Sequence, residues 1–158
     1  MKKVLFFVLL MVYGIAFAAN KTLEKTVGYD YDSTLAFSTP TFLAAREEDP
    51  SDRINWELVN GRLLKLEKKK YVASTVPFFK LLGYTPIVIT SRNETKGDVF
   101  RAHVERVYGI KAEDVYMTRE KAVHLKERKC VLFFGDSDGD ITEAKKAEVR
   151  AVRVKRSA

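Results

Sequence analysis

Two aspartates stand one residue apart in "VGYDYDSTLAF", Val27 to Phe37, directly behind a β-like run. Residues two apart on an extended chain face the same side, so Asp30 and Asp32 bring two like charges together. Carboxylates placed in this way suit paired work, Asp30 as nucleophile and Asp32 as proton donor and later base, once a cation offsets their repulsion. Partners come from far along the chain. Thr90-Ser91-Arg92 closes a second β-like run, Lys121 follows a third, and "GDSDGD", Gly135 to Asp140, closes a fourth. Asp30 and Asp136 suit hard Mg2+, which takes one or two carboxylates together with carbonyl, water and phosphate oxygens. Thr90 and the amide of Ser91 can bind phosphoryl oxygens, and Lys121 can neutralise the charge that builds on them during transfer.

Each piece also has an ordinary structural use. Asp140 before "ITEAKKAE" could be a helix N-cap, Thr90 a turn residue, and Lys121 a solvated helix lysine. Their order along the chain carries the chemical reading. A calcium loop of the EF-hand type is excluded, because it needs Gly at its sixth position and Glu at its twelfth. Counted from Asp136 those positions hold Ile141 and Ala147, and counted from Asp30 the sixth holds Leu35.

The elements that must position these residues follow from the apolar pattern. Strands are expected over "TVGYDYD", "PIVITS", "EDVYMT", "CVLFFGD" and "RAVRVK", and helices over about 72–82, 96–108, 120–129 and 141–149. That alternation predicts an α/β fold, a Rossmann-like parallel sheet with helices on both faces. In such sheets ligands bind beyond the carboxyl ends of the strands, where all the candidate residues fall. From Leu35 to Lys70 the pattern breaks, with Pro40, Pro50, "REED" and the lone Trp56. A small, mainly helical lid insertion after strand one is expected there.

A chain of 158 residues, 46% hydrophobic and 31% charged, suits one globular domain. "MKKVLFFVLLMVYGIAFA" has a basic start, an apolar run and Ala16-Phe17-Ala18, the pattern of a signal peptide cut after Ala18. Its apolar run falls short of the ~20 residues that span a bilayer. The mature domain, 19–158, is therefore expected outside the cytoplasm, in a bacterial periplasm, with no membrane contact. Losing Lys2 and Lys3 takes the formal charge from +7 to +5, which attracts anions without selecting among them. The run "KLEKKK", Lys65 to Lys70, is read as a solvated helix face, and no motif points to nucleic acid. Cys130, the single cysteine, opens an apolar run and is read as a small buried hydrophobe.

The order Asp-x-Asp-x-Thr, strand-final Thr, Lys and Gly-Asp-x-x-x-Asp resembles the haloacid dehalogenase superfamily. The segments "GYDYDSTLAFSTPTF", "WELVNG", "VITSRNETK" and "FFGDSDGDITEAKKAEVRAVRVKR" look like those of the secreted class B acid phosphatases. The resemblance covers essentially the whole mature chain. It implies an aspartyl-phosphate intermediate on Asp30, with Asp32 as acid/base and its backbone carbonyl joining Asp30 and Asp136 around Mg2+. It also implies that Asp140 supports the metal site from behind, and that Thr90, Ser91 and Lys121 bind the phosphoryl group with Arg92 nearby. Phe37, Phe42 and Trp56 match apolar lid positions that face the leaving group in the family. The implied activity is hydrolysis of phosphomonoesters, nucleotides and other small phosphorylated metabolites among them. Two other readings use the same motifs: transfer of phosphate to alcohol acceptors, and phosphate binding without turnover.

The sequence departs from the family pattern in three places. Ser33 replaces an acidic residue and Ser91 a glycine, both read as backbone positions, and the segment between strands one and two is short. The sequence ends at Ala158, ahead of the arm through which family members assemble tetramers, and a homo-oligomer is the protein partner the family implies.

Overall fold

The apolar runs become strands that run side by side in a computed structural model, which describes residues 25–156. In chain order the first elements are β1 (Thr26–Tyr29), β2 (Ala36–Phe37), α1 (Thr39–Glu48), α2 (Trp56–Val59) and β3 (Lys68–Lys69). Next come α3 (Thr75–Leu81), β4 (Thr85–Thr90), α4 (Gly97–Tyr108) and β5 (Val115–Met117). The last are α5 (Lys121–Glu127), β6 (Cys130–Gly135), α6 (Asp138–Lys146) and β7 (Arg150–Arg153). Five of these strands form one sheet in the order β5-β4-β1-β6-β7, with every pairing parallel.

Because successive strand residues point to opposite faces, the sheet has two cores. Val88 packs with Val27, Tyr29, Val76, Phe100 and Val104, which is the face covered by α3 and α4. Its neighbours Ile87 and Ile89 pack with Leu125, Phe133 and Ala144, the face covered by α5 and α6. Cys130 lies buried in this second core, as expected. From β1 the chain winds outward through β4 to β5, then crosses back to β6 on the other side of β1. That reversal opens a crevice at the carboxyl end of β1.

The expected strand one runs to Asp32, whereas β1 ends at Tyr29. The chain turns around the carbonyl of Tyr31, which accepts hydrogen bonds from the amides of Thr34, Leu35 and Ala36 at 3.0–3.3 Å, while Ser33 adopts φ 60°. Asp32 is thus placed by a turn and by a bridge to Ala36, not by strand alternation. The helix expected over 72–82 begins as a 3-10 turn, Tyr71–Ser74, and becomes α-helical from Thr75. The helix expected over 141–149 starts earlier, at Asp138, because Ser137 caps it. Asp140 is therefore not the N-cap but the third helical residue of a capping box, its carboxylate returning to the Ser137 amide at 3.0 Å.

The insertion after β1 is mainly helical, built on Ala45, Val59 and Leu63 with Phe42, Trp56, Leu58 and Leu66 against them. It is not strand-free: β2 and β3 pair antiparallel at its base. "KLEKKK" is not a helix face either, since a 3-10 turn over Arg62–Leu66 leads directly into β3. Its last residue, Lys70, is buried, and its Nζ donates to the carbonyls of Ser33 at 2.6 Å and Lys155 at 2.8 Å. The signal-peptide segment, 1–18, lies outside the described residues. Among the described residues no helix is long and apolar enough to cross a membrane.

Candidate active site

The amide of Asp30 donates to the carbonyl of Phe134 at 2.8 Å, extending the β1–β6 ladder by one residue. Tyr29 pairs with Val88 on one side and Phe134 on the other, so the register carries Asp30 between the tips of β4 and β6. Carboxylate oxygens of Asp30, Asp136 and Asp140 all lie within 4.8 Å of one another, and all three residues are buried. The capping box of α6 fixes Asp140, and Gly135 allows the approach, since a Cβ there would stand 2.4 Å from that of Asp140.

Lys121 opens α5, and its buried Nζ donates to Asp30 Oδ1 and Asp140 Oδ1, each at 2.6 Å. Burial pushes the Asp30 carboxyl up from its ordinary range; Lys121 pulls it down, and Asp140 and Asp32 push it up again. Burial likewise acts to raise Asp140, but Lys121 and Ser137 outweigh it and hold that carboxyl below its usual value. For Lys121, burial would lower the ammonium, and the two carboxylates overcome it and raise it. One buried ammonium thus faces three buried carboxylates, a surplus of negative charge that a divalent cation fits. Asp140 uses both oxygens inside the protein, on Lys121 and on Ser137, whereas Asp136 is held by Thr34 and, from the solvent side, by the largely exposed Arg156. Arg156, beyond β7, hydrogen-bonds Asp136 through Nε from the solvent side.

Thr90 ends β4 fully buried, and its hydroxyl accepts from the amide of Arg92 at 3.4 Å. Ser91, between them, is exposed at the strand tip. Asp32 keeps 29% of its side chain open to solvent, against 8% for Asp30 and 4% for Asp136. It is therefore the most accessible of these carboxylates.

Arg92 is the residue whose placement differs most from expectation. Its guanidinium is not open toward a bound phosphoryl group; it has no exposed side-chain surface and is engaged by Asp32, Glu67 and Asn60. Phe42 and Trp56 meet edge to face at 6.1 Å and belong to the core of the insertion, while Phe37 is half-buried in β2. The Phe42 ring lies 5.6 Å from the Arg92 guanidinium, which connects this apolar cluster to the site. Sequence reasoning missed Glu67, Asn60, Lys70 and Arg156. Glu67 and Lys70 are hidden in a run that charge alone assigns to solvent.

No family model matches the chain. It is 28% identical to the class B acid phosphatase of Proteus mirabilis over 88% of this chain and 68% of that protein. The corresponding protein of Morganella morganii is 28% identical, with 87% and 65% covered, and that of a Rahnella strain 29%, with 83% and 62% covered. The chain is thus similar in sequence to the class B acid phosphatases. It spans about two thirds of the length of these curated relatives. Its fold is that of haloacid dehalogenase superfamily hydrolases. The class C acid phosphatase of Bacillus anthracis superposes with a TM-score of 0.61 at 17% identity, covering 90% of this chain and 71% of the other. A superfamily hydrolase of Geobacter sulfurreducens gives 0.57 at 19% identity, covering 82% and 88%. At such identities the likeness is one of fold, and it matches the five-stranded parallel sheet described above.

Proposed function

We propose that this protein is an acid phosphatase that hydrolyses small phosphomonoesters through a phosphorylated Asp30. The observation that carries the reading is the meeting of Asp30, Asp136, Asp140 and Lys121 at one buried point, with the half-open Asp32 beside it. Relatives named as class B acid phosphatases over most of the chain support it.

In this reading a carboxylate oxygen of Asp30 attacks phosphorus while the bond to the ester oxygen breaks. Asp32 gives its proton to the departing alkoxide. Water then attacks the acyl phosphate, Asp32 takes up the proton, and inorganic phosphate leaves with Asp30 restored. The hydroxyl of Thr90, the amide of Ser91 and the ammonium of Lys121 hold the phosphoryl oxygens. Asp30, Asp136 and the carbonyl of Asp32 would hold Mg2+, with Asp140 steadying the site through Lys121 and Ser137. Bound there, the ion offsets carboxylate repulsion and the charge of the transferring group. In this reading Phe42, whose ring lies 5.6 Å from the Arg92 guanidinium, and Trp56, packed against Phe42, meet the leaving group, a nucleoside for example. The leader-like residues 1–18 support export, and a periplasmic location is part of the proposal.

Asp30→Asn, assayed on an aryl phosphate with Mg2+, should lose turnover while keeping its thermal midpoint, because the substitution removes a charge that burial disfavours. Activity near that of the unaltered chain would refute Asp30 as the nucleophile. EDTA should abolish hydrolysis, and Mg2+ should raise the thermal midpoint of the unaltered chain; a midpoint indifferent to divalent cations would remove the metal from the reading.

A further inference from the structure

Arg92 is held from two sides. Its Nε and Nη2 form a fork on Asp32, with Nε 3.0 Å from Oδ2 and Nη2 2.7 Å from Oδ1. Nη2 also reaches Glu67 Oε1 at 2.5 Å, and Nη1 reaches Asn60 Oδ1 at 3.3 Å. The rings of Tyr31 and Phe100 lie 4.7 and 4.9 Å from the guanidinium carbon. The Glu67 side chain is 1% exposed, and its second oxygen accepts from the hydroxyl of Tyr31 at 2.5 Å. Tyr31 is the residue between Asp30 and Asp32, so Glu67 grips the very turn that carries both. A buried carboxylate is costly unless paired and hydrogen-bonded, and here both oxygens are satisfied by groups that touch Asp32 or flank it.

A planar guanidinium with a fork on one carboxylate fixes that carboxylate's orientation as well as its charge. The fork itself needs an anchor, because Asp32 is partly open to water and could let the arginine turn. Glu67 and Asn60, both from the insertion, supply that anchor.

We propose that Glu67 is a positioning residue for catalysis: through Arg92 it holds the Asp32 carboxyl in the orientation from which it protonates the leaving group. The insertion thereby contributes to the chemistry. This inference rests on the reading of Asp32 as the acid/base.

The test exploits the need for a proton. An alkyl phosphate leaves as a strongly basic alkoxide and depends on the acid, whereas p-nitrophenyl phosphate leaves as a weak base and hardly does. The value of kcat/KM reports only the steps up to transfer onto Asp30. Glu67→Gln keeps the side-chain shape, and it should lower kcat/KM for glycerol 2-phosphate by about tenfold or more while changing that for p-nitrophenyl phosphate much less. Asp32→Asn should show the same selectivity, more strongly. Tyr31→Phe removes the hydroxyl that holds Glu67 and keeps the ring, so it should shift the ratio the same way by a smaller factor, and it decides the matter if Glu67→Gln does not fold. Equal losses on both substrates, or none, in whichever variant folds would overturn the proposal. An unaltered chain inactive on both esters would instead sink the phosphatase reading itself.

Discussion

The ammonium of Lys121 lies 2.6 Å from the carboxylate of Asp30, with both side chains buried and ninety-one positions of chain between them. A second carboxylate, Asp140, sits at the same distance on the other side. Lys121→Met keeps the length of the side chain and leaves those carboxylates with no ammonium between them. Breaking a buried pair in this way costs about 3–5 kcal/mol, and loss of a donor to the transferring group costs about 10²–10³ in rate. Denaturant melts and steady-state assays of the purified variant should show both losses. Mg2+ should recover part of the stability but not the rate; a variant as stable and active as the unaltered chain would contradict the assignment.

Gly135 permits the close packing of β6 against α6. A methyl group there would meet the Cβ of Asp140 at 2.4 Å, an atom anchored to a helix and unable to swing away. Gly135→Ala should therefore cost about 1–3 kcal/mol as strand and helix part. The same movement pulls Asp140 from Lys121, so activity should fall even where the variant remains folded. Thermal melts paired with activity at a temperature below both midpoints would separate the two effects.

Acid should weaken the fold through His103. Burial, with Arg106 and Arg92 nearby, pushes its imidazole down from 6.5 to about 4. The unfolded chain then binds a proton more readily than the folded one between those values. The stabilisation is complete above about pH 6.5 and is lost as pH falls toward 4. Urea midpoints at pH 7 and pH 4.5 should show a drop that His103→Gln reduces. An equal drop in the variant would assign the acid sensitivity to other groups.

How much of this was legible in the sequence depends on what kind of signal each residue leaves. The strands β1, β4, β5, β6 and β7 announce themselves as apolar runs between helical patterns, and their ends locate Asp30, Thr90 and Asp136 without any coordinates. Lys121 carries no local mark and gains meaning only from its order after the third strand. For Asp32 the alternation argument fails, since the Tyr31-centred turn and not an extended strand sets its direction. The partners of Arg92 were not legible, because Asn60 and Glu67 come from the insertion, where periodicity fails. Glu67 and Lys70 were hidden by composition. Among neighbouring lysines they look solvated, and only the fold shows one under Arg92 and the other beneath the first loop.

Lys70 has a bearing on how the protein matures. Its single ammonium ties the loop behind the first strand to the tail behind the last, across 37 and 85 positions of chain. The tail is fastened again where Val154 donates to Gly135 and where Arg153 reaches the carbonyl of Asp136. Contacts so distant in sequence carry the loop-closure cost that slows folding. Until β7 has joined the sheet, Lys70 holds the Ser33 carbonyl without its second partner, and the loop behind the first strand is not yet tied to the segment behind the last.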